Sequence, residues 1–162
     1  MDYKEKYDVI VVGGGHAGCE AAHAAATIGS KVLLISQNLE TIARMSCNPA
    51  MGGIAKGQIL REIDALGGMS AIVTDRSTIQ FRMLNKSKGP AMWSPRAQCD
   101  RKLFEKEWRL TLERNKNIDF YQDSVESVIL DKEKAIGVKT KMGVRIKGCL
   151  LYTSDAADEL CR

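Results

Sequence analysis

Residues 7 to 36 hold the pattern that most restricts how this chain can fold: an apolar strand, a glycine turn, an alanine-rich helix and a second apolar strand. Val9-Ile10-Val11-Val12 has no polar interruption, which suits a central parallel strand covered on both faces. Gly13-Gly14-Gly15-His16-Ala17-Gly18 follows at once. Residues 19–28 are then rich in alanine, a good helix former. Gly29 stops that helix, and residues 31–36 read as the second buried strand. Strand, turn, helix and strand at this spacing make a βαβ unit.

A bare Gly-x-Gly-x-x-Gly pattern is weak, but this one sits between a buried strand and a helix. In that setting Gly13 makes the tight turn, Gly15 lets a pyrophosphate approach the backbone, and Gly18 lets helix and strand pack closely. The N–H groups of the first helical turn then hold the anion, aided by the helix dipole. An acid that binds a ribose hydroxyl is expected after the second strand. The residues there are Ser36, Gln37 and Asn38, with Glu40 slightly late. Asn38 is the candidate for a neutral hydrogen bond to the ribose.

The 162 residues amount to about one domain. A content of 44% hydrophobic and 27% charged residues supports a core and excludes disorder and collagen-like order. The longest apolar runs, 9–12 and 32–35, fall far short of the roughly 20 residues of a bilayer-crossing helix, so no membrane association is expected. Asp2, Lys4, Glu5 and Lys6 crowd the place of a secretory h-region. Cys19, Cys47, Cys99, Cys149 and Cys161 are odd in number, widely spaced and lack a Cys-x-x-Cys pair. That favours a reducing cytoplasm over a disulfide framework. His16 and His23 have no cysteine pair at ligand spacing, so no metal site is expected.

The net charge of +4 is concentrated. Residues 82–116 carry 10 basic and 4 acidic side chains, while each flank has one more acid than base. Such a segment is either a surface for a polyanion, RNA or a phosphorylated cofactor, or a solvated helix face.

Residues 46–57 read as irregular, and 58–66 as a short helix with Ile59, Ile63 and Leu66 on one stripe. Residues 70–89 read as short extended pieces and loop. Ser94 and Pro95 fit an N-cap and first helical position. They predict a helix to about Arg114 whose buried side is Leu103, Phe104, Trp108 and Leu112. Residues 118–121, 124–130, 135–140 and 143–147 read as strands, and a further strand of the first sheet is expected after residue 148.

Two more clusters carry chemistry. In Ser46-Cys47-Asn48-Pro49-Ala50-Met51-Gly52-Gly53, Asn48 and Pro49 are helix-start residue types. They would set Cys47 beside backbone N–H donors and favour thiolate. Gly52 and Gly53 would let a flat ligand approach closely. A small buried cysteine before a turn is the equal alternative. In the third cluster, Gly89-Pro90 fixes a loop, Arg96 and Arg101 suit bidentate phosphate contacts, and Cys99 is expected as a packed thiol in the helix.

With these clusters the chain resembles the N-terminal part of the MnmG (GidA) family, FAD-dependent enzymes that modify the wobble uridine of certain tRNAs. The resemblance rests on Gly13 to Gly18 followed by Cys19-Glu20-Ala21-Ala22, on the Ser46 to Gly53 string, and on Asp64-Ala65-Leu66-Gly67-Gly68. It also rests on Ile79-Gln80-Phe81-Arg82-Met83-Leu84-Asn85, on Lys88-Gly89-Pro90-Ala91, and on Arg96-Ala97-Gln98-x-Asp100-Arg101. It covers residues 7 to about 148, and the Ser-Cys-Asn-Pro-Ala-x-Gly-Gly string is very specific.

The resemblance implies an α/β fold: a Rossmann-type FAD-binding domain with a glutathione-reductase-like βαβ start and a parallel sheet, incomplete at the C-terminus. It implies tightly bound FAD, with NADH and methylenetetrahydrofolate as co-substrates. It implies tRNA and the GTPase MnmE as partners, and a homodimer within a heterotetramer. The implied product is 5-carboxymethylaminomethyl- or aminomethyl-uridine, its one-carbon unit passed through the flavin to carbon 5 of the uracil. Residue by residue, Gly13, Gly14, Gly15, His16, Ala17 and Gly18 become the FAD pyrophosphate loop. Val125 becomes a backbone contact to the adenine, and Cys47 a catalytic thiol near the flavin. Carbon 5 of a pyrimidine turns nucleophilic after addition at carbon 6, which a thiolate can perform. Cys47 is open to either role, base or nucleophile. Arg96 and Arg101 are the nucleic-acid candidates.

Residues 149–159 resemble a translated sequencing adaptor. Residues 1–148 are therefore read as the N-terminal part of the FAD-binding domain and 149–162 as a non-native tail, and the isolated chain is expected to be inactive. Four readings compete. An FAD-dependent disulfide reductase would want a Cys-x-x-Cys or Cys-x4-Cys partner for Cys47. A folate-dependent tRNA uracil methyltransferase shares the glycine-rich start without the Cys47 string. The others are a nucleotide-sensing module and an RNA-binding domain driven by residues 82–116.

Overall fold

The computed structural model describes residues 1–153. In chain order its elements are β1 (Asp2–Val12), α1 (His16–Thr27), β2 (Val32–Ser36), β3 (Ala50–Gly52), α2 (Lys56–Ala65), α3 (Ser70–Ser77) and β4 (Thr78–Leu84). There follow β5 (Ser94–Cys99), α4 (Arg101–Glu113), β6 (Ile118–Gln122), β7 (Val125–Asp131), β8 (Lys134–Thr140) and β9 (Arg145–Thr153). The length of one domain is divided into two compact units. The first combines residues 1–42 with the described chain from Leu112 to Thr153; the second is residues 43–111.

The first unit is a Rossmann-type α/β layer. Its six strands run in the order β6-β2-β1-β9-β8-β7. β6, β2, β1 and β9 are parallel, while β8 and β7 add antiparallel pairing. The expected βαβ start is present: Val9 to Val12 lie in register with Val32 to Ile35. β2 has four consecutive buried residues, as a strand covered on both faces requires. On one face Tyr7, Ile10, Leu33 and Ile35 pack with Val138 and Ile146 from β8 and β9. On the other, α1 presents Gly18, Cys19, Ala22 and Ala26, small side chains that let the helix sit low on Val11.

β9 is longer than its sequence pattern, because pairing with β1 continues through Val12 and Thr153. Residues 149–153, read as the start of a tail, therefore lie in this strand; residues 154–162 of that reading lie outside the described residues. No separate strand follows β9 among the described residues, so the further strand expected after residue 148 is not seen there.

The second unit is a three-stranded antiparallel sheet, β3-β5-β4, with α2 and α3 packed on it. Three sequence expectations fail here. Ser94 and Pro95 do not begin a helix; they begin β5. Near a strand's start a proline is tolerated. The helix starts after Asp100, whose carboxylate accepts from Leu103 N at 2.9 Å. Cys99 is consequently buried at a strand end rather than in a helix. Leu103 is exposed, whereas Phe104, Trp108 and Leu112 are buried as expected. Second, α3 falls where loop was expected. It buries Ser70, Val73, Thr74 and Ser77, so its inner face has no apolar stripe to read. The hydroxyls of Thr74 and Ser77 are satisfied by carbonyls one turn back, at 2.6 and 2.8 Å. Third, the α2 stripe is not buried, since Ile59 and Leu66 are exposed.

Candidate functional site

The first unit builds the turn after β1 from glycine. Gly13 N donates to Ile35 O at 2.8 Å, tying the turn after β1 to β2, and its φ of +103° suits glycine. A Cβ on Gly18 would lie 1.9 Å from Gly13 O, and one on Gly14 would lie 3.1 Å from Ile42 Cγ1 and Ser36 Oγ. The helix therefore begins directly against the turn. Gly15 is its N-cap, no side chain caps it, and its first turn holds no acid. Main-chain N–H groups thus form the end of α1, an arrangement that receives an anion. The residues present fit a dinucleotide pyrophosphate.

The other two candidates of this unit gather at the same edge. Asp123 N donates to Ser36 O at 3.1 Å, and Leu39 N donates to Gln122 Oε1 at 3.5 Å. The ends of β2 and β6 and the turn after β1 therefore share the carboxyl edge of the parallel strands, where ligands of such sheets bind. Asn38 is exposed there, and its Oδ1 accepts from Glu40 N at 2.8 Å. That orients the side-chain NH2 as the donor for a hydroxyl. Val125 begins β7, pairs with Thr140 and packs against the core cluster.

The sequence reading missed Asp123. Its carboxylate accepts from Ser124 N at 2.7 Å and from Met142 N at 3.2 Å, clamping the corner that leads into Val125. Its only sequence signal is an Asp between two strands, common to many turns. The Thr140 hydroxyl and these two amides hold its carboxyl below the usual carboxylate range. A depressed folded-state pKa contributes stability above the unfolded value of about 3.9, lost as pH falls through the folded value. The wild-type melting temperature should therefore fall more steeply than that of Asp123→Asn below about pH 4; parallel curves would refute the clamp.

In the second unit Cys47 is exposed in the loop before β3. No helix starts at Asn48 and Pro49, so the expected helix N-terminus beside the thiol is absent; Pro49 instead leads into β3 and accepts from Cys99 N at 2.7 Å. Gly52 also serves differently from expectation. Its φ is +83°, and a Cβ there would stand 2.2 Å from Pro95 O, so the close approach is made by β5. Around Gly53 a Cβ would meet nothing within 4 Å.

α4 holds the Cys47 loop. Arg101 Nη2 donates to Cys47 O at 2.8 Å. Upstream, Arg44 Nε pairs with Glu105 Oε1 at 3.2 Å, and Lys102 Nζ with Glu105 Oε2 at 3.0 Å. Glu105 is 6% exposed, a second residue the sequence reading missed, because a Glu in an amphipathic helix looks like surface. Arg101, a phosphate candidate by sequence, is engaged with the loop backbone. Arg101→Ala should raise the rate at which iodoacetamide alkylates Cys47 by several-fold and speed amide exchange at residues 45–48, with β5 amides still protected. Arg101→Lys should recover part of both. Arg96 lies on β5 rather than in a helix, exposed and in register with Gly52 and Arg82.

Among the described residues no group of three His, Cys, Asp or Glu could hold a metal ion, and no helix is long and apolar enough to cross a membrane.

The model of the family described as glucose inhibited division protein A (GIDA) matches residues 8–151. The chain belongs to the GidA family. Among GidA relatives, the tRNA uridine 5-carboxymethylaminomethyl modification enzyme MnmG of Karelsulcia muelleri is 67% identical over 145 residues, 90% of this chain and 24% of that protein. The MnmG of Flavobacterium psychrophilum is 62% identical over 146 residues, 90% of this chain and 23% of the relative. The chain thus spans about a quarter of the length of the curated relatives it matches. GidA of Aquifex aeolicus superposes with a TM-score of 0.89 at 46% identity, covering 91% of this chain and 25% of that structure. A GidA-related protein from Thermus thermophilus, at 18% identity and TM-score 0.63, shares the fold.

Proposed function

We propose that this GidA-family chain binds FAD at its glycine turn, as the flavin-binding part of an enzyme that installs the 5-carboxymethylaminomethyl (or aminomethyl) group on the wobble uridine of tRNA. The observation that carries the reading is the 1.9 Å approach of an added Gly18 Cβ to Gly13 O, which puts the first turn of α1 against the strand-end turn. Gly13, Gly14, Gly15, His16, Ala17 and Gly18 would hold the pyrophosphate, Asn38 a ribose hydroxyl, and the Val125 backbone the adenine. FAD held there would supply two-electron redox chemistry.

Cys47 is the chain's candidate for work on the uracil. Its sulfur would add at carbon 6, or take the proton leaving carbon 5, from a loop held by Arg101. The names of the relatives support tRNA as substrate. NADH and methylenetetrahydrofolate as co-substrates, MnmE as partner, a homodimer within a heterotetramer and a cytoplasmic location belong to the same proposal. Turnover is assigned to a polypeptide of the relatives' full length, and the 162-residue chain by itself is expected to give none.

The test is flavin uptake. The purified chain, mixed with FAD and passed through a desalting column, should retain a flavin absorption band. A colourless chain, together with a colourless full-length family protein carrying this sequence, would refute the assignment.

A further inference from the structure

We infer that the sheet face of the second unit turned away from α2 and α3 is a landing surface for an RNA strand, with Arg82 and Arg96 as a phosphate clamp. This rests on the proposal that RNA is the substrate and assigns the contact to residues outside the glycine turn and the Cys47 loop. Register places the two arginines directly opposite each other on β4 and β5, so both project from one face. The next rank on that face pairs Gln80 with Gln98. Met51, Phe81 and Ala97 occupy the opposite face, where with Leu60 and Ala71 they line a cleft of about 130 Å³.

Several observations point to a phosphodiester strand. All four side chains, Arg82, Arg96, Gln80 and Gln98, are exposed. Like charges directly opposite one another destabilise a sheet. Neither arginine has a carboxylate partner among the described residues, and β3, β4 and β5 contain no Asp or Glu. The opposed pair is therefore a standing cost that an anion relieves, and the guanidinium fork suits phosphate oxygens. The segment joining β4 and β5 adds Lys86 and Lys88, both exposed. It also carries Trp93, 41% exposed and held by its Nε1 donating to Lys86 O at 3.2 Å. Cationic side chains beside an accessible aromatic ring are the elements that bind single-stranded nucleic acid, and glutamine amides can meet 2′-hydroxyls and base edges. Arg101, bonded to the Cys47 carbonyl, is not part of this face.

The experiment is a salt titration of binding between the 162-residue chain and a fluorescently labelled anticodon stem-loop RNA, read by anisotropy. Arg82→Gln and Arg96→Gln should each reduce the slope of log affinity against log salt by about 0.7, which is about eightfold weaker binding at about 50 mM salt. Arg82→Lys should restore the slope, because charge is what it counts. Lys134→Gln, in the first unit, should change it less than either. The melting temperatures of both glutamine variants should hold or rise as the opposed charges are removed. Unchanged slopes would overturn the inference. So would competition by millimolar inorganic phosphate that abolishes RNA binding, which would mark a small-anion site, or loss of FAD uptake in the same variants. RNA binding through both arginines in a chain that never takes up FAD would keep this inference and remove the flavin reading. FAD uptake with RNA binding indifferent to both arginines would do the reverse.

Discussion

Gly18→Ala should abolish flavin uptake and lower the stability of the chain. The added methyl group would sit 1.9 Å from Gly13 O, a backbone atom with no rotamer to yield. Either α1 lifts off the sheet or the turn opens. Overpacking of this kind costs about 1–3 kcal/mol. The functional loss is larger, because a shift of about 1 Å in a binding constellation can cost on the order of a hundredfold. Gly29→Ala is the matched control. Its Cβ would meet nothing within 4 Å, and only its φ of +95° is strained. It should lose about 1–2 kcal/mol and keep its flavin. FAD titration and thermal melts of both variants separate packing at the cradle from backbone strain elsewhere. Equal flavin affinity in the two would defeat the assignment of Gly13 to Gly18.

Trp108→Ala should be the most destabilising single truncation in the chain. Trp108 and Phe104 on α4 are fully buried, and large-to-small changes at such sites cost about 3–5 kcal/mol. Trp108→Phe should cost far less, because the indole N–H is buried without an acceptor. Losing that donor offsets part of the lost volume, since an unsatisfied buried polar group costs about 1–3 kcal/mol. Urea midpoints of the three proteins measure the difference. α4 also carries Arg101 and Glu105, so the alanine variant should expose the Cys47 loop to faster alkylation while the phenylalanine variant should not. A phenylalanine variant as unstable as the alanine one would show that the N–H has a role.

The βαβ start was legible because its signals are local. Four consecutive apolar residues, three glycines at fixed offsets and an alanine helix leave few folds open. The strands from residue 118 onward were legible from their own residues in the same way. β5 and α3 were not. Ser94 and Pro95 carry helix-start chemistry, yet pairing with Leu84 and Met83 of β4 makes them a strand. α3 hides because its buried face has one apolar residue, Val73, among Ser70, Thr74 and Ser77, and the last two bond their hydroxyls to carbonyls one turn back.

The same division runs through the candidate site. The glycine spacing by itself determined that α1 starts against the turn after β1, since Gly18 answers to Gly13, five positions back. Which charged groups are engaged was decided only by tertiary structure. Arg101 reaches back 54 positions to the Cys47 carbonyl, Glu105 reaches 61 to Arg44, and Arg82 and Arg96 are set opposite each other by strand register. A long side chain's partner depends on where distant backbone is placed, and local pattern does not encode that distance.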